Sequence, residues 1–390
     1  MSVGKSRVAP HVAELPKSGI RKFFDLVAQS NDIVSLGVGE PDFDTPWHIS
    51  RAAVTCLEDG GTHYTSNWGT PALRQAICRY LDRRFAAKFD WHKEVLVTVG
   101  VSEAIDLAIR AICSPGDEVL YHEPCFVSYA PTIRLAHAVP VAVPTRVEDE
   151  FRLTVEALEA KVTPRTKALL LNFPCNPTGA TLSREEMLAI LAFAEKHDIL
   201  ILADEVYSEL NYLASTPRFS SFASFPQYHD RVILLNGFSK SWAMTGYRLG
   251  YACGPADILD AMVKIHQYGI MSAPTLSQAA GVEAMDFGDK DVARMRREYQ
   301  RRRDYLVPAL NALGLKTLMP KGAFYLFTDI RSAGMSDDDF ALKLLKEGGV
   351  AVVPGSAFGP GGAGFVRLSY ATSLDKIKLA VERIERMVRI

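Results

Sequence analysis

Residues 167–204 read KALLLNFPCNPTGATLSREEMLAILAFAEKHDILILAD, and the order of patterns inside this stretch decides the fold. An apolar run at 167–171 is short enough for a buried strand. Ser183-Arg184-Glu185-Glu186 is a capping box, followed by Met187, Ile190, Leu191 and Ala194 at helical spacing. A second apolar run at 199–203 ends on Asp204. Strand, helix and strand in that order make a βαβ unit, which belongs in a mostly parallel sheet.

Further apolar runs at 95–99, 118–121, 139–143 and 232–235 alternate with helical patterns, so the α/β reading extends from about 95 to 249. Beyond about residue 286 a charged helix at 291–306 leads to strands at 324–327 and 365–368, which reads as a second, smaller α/β lobe. The run Gly359-Pro360-Gly361-Gly362-Ala363-Gly364 is a turn between strands, and no GxGxxG loop follows a first strand.

Composition narrows the function classes. The 390 residues carry 44 Lys plus Arg against 45 Asp plus Glu, with no block of like charge to grip a polyanion, so nucleic acid is not an expected partner. Six cysteines (Cys56, Cys78, Cys113, Cys125, Cys175, Cys253) lack CxxC spacing and suit free thiols in a reducing compartment. Neither a signal-peptide core nor an apolar run of membrane-spanning length is found, and the expectation is a cytoplasmic protein.

Chemistry gathers where the predicted strands end. In Asn236-Gly237-Phe238-Ser239-Lys240-Ser241, one lysine stands among small residues, with Arg248 eight positions on. A desolvated lysine forms an imine with an aldehyde, and an arginine fork grips a phosphate, so an aldehyde cofactor bearing a phosphate would use both ends of the segment. The loop Val99-Gly100-Val101-Ser102 runs into a helix expected over 102–111, either as a plain turn capped by Ser102 or as an anion site. Asp204 lies at the carboxyl edge of the sheet, either capping the next helix or pairing with a protonated pyridine nitrogen. Tyr207 reaches the same side if the chain turns helical there, and would offer a phenol to the ring hydroxyl. The Pro-rich loop after 167–171 fixes Asn176, whereas its neighbour Cys175 has no nearby histidine and reads as an inert thiol. Phe126 offers a flat face to a planar ring or packs in the core. Arg367, a charge inside an apolar strand, requires a carboxylate, structural or from a substrate.

These pieces, in this order, resemble the class I and II aminotransferases, pyridoxal-phosphate enzymes of fold type I. The likeness is carried by Gly37-Val38-Gly39-Glu40-Pro41-Asp42-Phe43, Tyr64 with Gly69 and Leu73-Arg74, residues 100–104, Asn176-Pro177-Thr178-Gly179, Asp204-Glu205-Val206-Tyr207, Ser239-Lys240 to Arg248, and Arg367. It implies that Lys240 holds the cofactor as an imine and moves the substrate proton, that Asp204 pairs with the pyridine nitrogen, and that Asn176 and Tyr207 hold the ring oxygen. It further implies a phosphate held by Gly100, Val101, Ser102, Ser239 and Arg248, with Tyr64 arriving from the second subunit of a homodimer. Phe126 would stack on the ring, and Arg367, the Gly39 backbone and Asn176 would clamp the substrate α-carboxylate.

The implied large domain spans 46–285, with 1–45 and 286–390 forming the N-terminal arm and small domain. Two positions depart from the pattern: Gly237, where some members have a phosphate-binding serine, and Phe126, where others have Trp or Tyr. The expected reaction moves an amino group between an L-amino acid and a 2-oxo acid such as 2-oxoglutarate, with ping-pong kinetics. Apolar Val101 favours neutral, aromatic or broad donors, read by a pocket drawn from Ser18-Gly19-Ile20-Arg21, Val101 and residues 268–274. The alternatives are another reaction on the same scaffold, a C–S lyase or related α,β-elimination enzyme or a cyclopropane-forming synthase, and a non-catalytic regulator binding the cofactor. No basic helix-turn-helix segment precedes residue 40 to support the latter.

Overall fold

A computed structural model describes residues 7–16, 32–213 and 221–388. In chain order the strands are β1 (Val34–Ser35), β2 (Val95–Thr98), β3 (Glu118–Glu123), β4 (Val139–Pro144), β5 (Thr166–Asn172), β6 (Leu200–Asp204), β7 (Val232–Gly237), β8 (Gly250–Cys253), β9 (Tyr325–Asp329), β10 (Val350–Ala351), β11 (Val353–Pro354) and β12 (Phe365–Ser369). Seven of them form one sheet in the order β2-β8-β7-β6-β5-β3-β4, parallel except that β8 runs antiparallel to both neighbours.

The continuous Val, Leu and Ile runs are explained by burial on both faces. On one face Leu169, Leu171, Ile201 and Leu234 meet the helices Pro71–Phe85, Arg184–Lys196 and Thr275–Phe287. On the other, Leu170, Leu202, Ile233 and Leu235 meet Gly100–Ile112 and Ala256–Gly269. The capping box at Ser183 and Glu186 is present, both reciprocal bonds being made. A third core joins the long helix Asp289–Ala312 to β9, β12 and the helices Asp337–Gly348 and Leu374–Val388, through Tyr299, Leu306, Phe324, Phe340, Leu344, Leu368 and Ile377. Here β9 and β12 pair antiparallel, and β11 adds to β12.

Two helix boundaries differ from the sequence reading. The helix expected from 102 starts at Gly100, with Val99 as the capping residue; the Glu103 carboxylate accepts the Val99 N–H at 2.5 Å. Ser102 therefore sits inside the first turn and does not cap it; Val99 supplies no side-chain acceptor, so the first-turn amides have no side-chain cap. The charged helix is longer than 291–306, running Asp289–Ala312 through an internal Pro308. After β6 the chain forms a turn and not a helix, yet Tyr207 still faces the same cavity as Asp204. The proposed pocket segment Ser18–Arg21 lies outside the described residues. Among the described residues no helix is long and apolar enough to cross a membrane.

Candidate active site

The carboxyl ends of the parallel strands converge on a cavity of about 440 Å³. Register places Asn172, the last residue of β5, opposite Asp204, the last residue of β6. The Asn172 amide group donates from Nδ2 to the Asp204 carbonyl at 3.0 Å and accepts the Asn176 N–H at 2.9 Å on Oδ1. Its own N–H donates to His122 Nε2 at 3.1 Å, and burial pushes that imidazole down to about 4, keeping the ring neutral and able to accept. One side chain thus ties together both strand ends and the loop carrying Asn176.

Asp204 is buried and accepts the Tyr129 hydroxyl at 2.7 Å on Oδ2 and the Val206 N–H at 3.2 Å on Oδ1. Loss of hydration pushes its carboxyl up to about 6, against the pull of these two donors and of Lys240. A buried carboxylate with two donors and, among the described residues, no salt-bridged cation suits a cationic ring nitrogen.

Lys240 follows β7 and donates from Nζ to the Gly39 carbonyl at 2.7 Å. Burial pushes its ammonium down to about 8; Glu40 and Asp204 oppose this, while Arg367 and Arg248 add to it. At pH 7 a pKa of 8 leaves about a tenth of the amine free, against a few parts in ten thousand for an unperturbed lysine.

At one end of the cavity the first turn of helix Gly100–Ile112 meets Arg248. Gly100 has φ +76°, and a Cβ built there would lie 2.7 Å from Arg248 Nη2, so glycine is required for the guanidinium to lie against the helix start. Arg248 itself has φ 49° and donates from Nη1 to the Thr245 carbonyl at 3.1 Å. The helix start, the Ser102 and Ser239 hydroxyls and this guanidinium gather hydrogen-bond donors and positive charge at this end of the cavity, the chemistry that an anion such as a phosphate requires. Gly237 has a packing explanation: a side chain there would begin 2.8 Å from Val101 Cγ2 and 3.1 Å from the Leu249 carbonyl.

At the other end Arg367, buried on β12, donates from Nη1 to Asn176 Oδ1 at 3.0 Å and from Nη2 to the Gly37 carbonyl at 2.6 Å. Its Nε has no partner among the described residues, and each Nη retains a second hydrogen, so the fork has donors left for an incoming carboxylate. Phe126 lines the cavity, its ring 5.8 Å edge-on from that of Tyr129.

Of the residues singled out from sequence, Gly39, Val101, Ser102, Phe126, Asn176, Asp204, Tyr207, Ser239, Lys240, Arg248 and Arg367 line this one cavity, and Gly100 packs directly behind Arg248. Tyr64 does not: it is 85% exposed. Tyr129, Asn172 and Tyr325 escaped sequence reasoning. The Tyr325 hydroxyl lies 2.9 Å from that of Tyr207, and its ring lies under the Arg367 guanidinium at 4.5 Å.

Residues 31–384 match the family described as aminotransferase class I and II, and the chain belongs to that family. An aspartate aminotransferase of Pyrococcus abyssi is 45% identical over 95% of this chain and 96% of its own. The second aromatic-amino-acid aminotransferase of Thermococcus litoralis is 43% identical over 95% and 96%. The crystal structure of an aromatic aminotransferase from Pyrococcus horikoshii superposes with a TM-score of 0.90 at 44% identity, covering 94% of this chain and 98% of that one. The fold is that of these enzymes, the cofactor is pyridoxal phosphate, and the reaction is transamination between an amino acid and a 2-oxo acid.

Proposed function

We propose that the protein transfers the amino group of neutral, aromatic or broadly varied L-amino acids to a 2-oxo acid such as 2-oxoglutarate, with Lys240 as its reactive amine. The observation that carries the reading is the Lys240 Nζ, its pKa pushed down to about 8, in one cavity with the buried Asp204 carboxylate and the Arg367 fork. Bound pyridoxal phosphate supplies an aldehyde that captures amines and a ring that accepts electrons.

Each residue then has a role. Gly100, Val101, Ser102, Ser239 and Arg248 hold the phosphate. Asp204, braced by Tyr129 and Val206, keeps the ring nitrogen protonated. Asn176 and Tyr207 donate to the ring oxygen, and Phe126 covers the ring face. Arg367 fixes the substrate α-carboxylate with the Gly39 backbone and Asn176, which points the α-hydrogen at Lys240. The Lys240 Nζ takes up the proton that leaves the α-carbon, and the adjacent Gly39 carbonyl holds the resulting ammonium.

The donor preference is supported by the apolar wall formed by Val38, Val101, Ile105 and Phe126, beside the Glu40 carboxylate. Relatives named for aspartate and for aromatic substrates frame the choice. A homodimer is supported by large apolar side chains left exposed in the single chain: Trp47, Leu57, Tyr64, Tyr268 and Met271. In such a dimer the partner subunit's Tyr64 would complete the phosphate site. The division into a large domain at 46–285 and a small one from 1–45 with 286–390 is supported by the third core, which draws mainly on residues beyond 286, and cytoplasmic residence by six free thiols. Assaying the twenty amino acids against 2-oxoglutarate tests the donor class: activity on several neutral or aromatic donors is expected, and activity confined to aspartate would overturn it.

A further inference from the structure

Tyr207 and Tyr325 present two buried hydroxyls 2.9 Å apart, at the point where the cofactor end of the cavity meets the carboxylate end. A hydroxyl has one hydrogen, so the direction of this bond matters. If Tyr207 donates to Tyr325, it has nothing left to give a cofactor. If Tyr325 donates to Tyr207, the Tyr207 hydrogen is free to point into the cavity. Burial pushes both phenols above their ordinary range, so each keeps its proton across the working pH range and the choice is one of orientation.

Of three features, the first favours donation from Tyr325 and the other two hold the pair in place. The Arg367 guanidinium lies 4.5 Å from the centre of the Tyr325 ring, and a cation over a phenol ring draws electron density from it, making its O–H the stronger donor. Register makes the contact rigid: Tyr325 pairs with Ser369 on β12 and Phe327 with Arg367, so Arg367 is the diagonal neighbour of Tyr325. Third, the Tyr325 hydroxyl tip occupies the space beside Gly39 that a side chain would fill: a Cβ there would lie 2.5 Å from it. The charged groups facing the pair are Asp204 at the foot of the Tyr207 turn, Arg367 from β12, and Lys240.

We infer that Tyr325 is a positioning residue: it donates to Tyr207, thereby committing the Tyr207 hydrogen to the cofactor ring oxygen, and it couples that oxygen to the arginine that binds the substrate α-carboxylate. The inference rests on the reading that Lys240 carries the cofactor and Tyr207 touches its ring oxygen. Chained hydrogen bonds polarise one another, so each link strengthens the next. A stronger bond to the ring oxygen stabilises its anionic form and weakens its hold on the protonated lysine-linked nitrogen, lowering the pH at which that nitrogen loses its proton. A carboxylate docking on Arg367 neutralises the cation over Tyr325 and relaxes the chain in the opposite sense.

The test is the absorbance titration of the cofactor-loaded protein against pH, in the wild type, Tyr207→Phe, Tyr325→Phe and the double variant. All three variants keep their rings, and thermal melting of each checks that the fold is retained. The cofactor-band midpoint is expected to rise by about one pH unit in Tyr207→Phe and about half a unit in Tyr325→Phe. In the double variant the midpoint should match Tyr207→Phe alone, since Tyr325 acts only through Tyr207. A midpoint moved by Tyr207→Phe but not by Tyr325→Phe, or a double-variant shift equal to the sum of the two, overturns the coupling and leaves the site reading standing. A midpoint unmoved by Tyr207→Phe removes the role of Tyr207 and the inference with it.

Discussion

Replacing Asp204 with asparagine isolates the electrostatic cost built into this site. In the cofactor-free protein the Asp204 carboxyl is pushed up to about 6 from the ordinary 3.8, chiefly by burial. A folded-state pKa above the unfolded one means that the stability is fully present below pH 4 and is lost as pH rises through 6. The shift corresponds to about 3 kcal/mol at pH 8, at 1.36 kcal/mol per unit. Asparagine removes this charge. It still accepts from one of the two donors, Tyr129 or Val206, while the other faces an amide NH2, at a cost of about 1 kcal/mol.

The net expectation is a cofactor-free Asp204→Asn protein about 2 kcal/mol more stable than wild type at pH 8, or about 2–3 °C in melting temperature for a chain of this length. Near pH 4, where the charge contribution is gone, the variant should instead be about 1 kcal/mol less stable than wild type. With pyridoxal phosphate bound the order at pH 8 should reverse, because only the carboxylate can pair with the ring nitrogen, and kcat should fall by about 100-fold or more. Melting curves at pH 4, 6 and 8 with and without cofactor measure this. A cofactor-free variant no more stable than wild type at pH 8, or a gain of equal size at pH 4, would refute the reasoning.

Gly237→Ser should destabilise the protein by about 1–3 kcal/mol through collision with Val101, and Val101→Ala should restore part of the loss; equal melting of Gly237→Ser and wild type would count against the packing explanation. Tyr129→Phe removes one donor from Asp204 and should lower kcat/KM by about 10–100-fold with little change in KM, the loss expected for a hydrogen bond to a charged group. Arg367→Lys cannot hold both Asn176 and Gly37 while keeping a fork for the substrate, so KM for the amino donor should rise about 100-fold or more in steady-state kinetics; an unchanged KM would count against the clamp.

The parallel sheet was legible because β5, β6 and β7 are buried on both faces and therefore written as continuous apolar runs. Asp204 was legible for a related reason: a carboxylate closing such a run has to lie at the sheet edge. Lys240, Asn176 and Arg367 stand out as polar groups where the surroundings are small, rigid or apolar. The start of helix Gly100–Ile112 was not legible because Ser102 is a good capping type, whereas the helix opens two residues earlier behind Val99, which has no capping side chain.

Tyr129 and Tyr325 carried no local signal. Each lies among apolar neighbours as a core aromatic would, and its hydroxyl partner is distant in sequence, 75 residues away for Tyr129 and 118 for Tyr325. Asn172 was masked in the same way, since its importance comes from the register that sets it opposite Asp204. Only the fold brings those partners together.

The central claim is that Lys240 carries pyridoxal phosphate through its side-chain amine. Reducing the cofactor-loaded protein with borohydride and mapping the modified peptide by mass spectrometry tests it directly. The adduct is expected on the peptide containing Lys240 and should be absent from Lys240→Ala, which would still bind cofactor without the pH-sensitive absorbance band. An adduct on another lysine, or a band that persists in Lys240→Ala, would contradict the account.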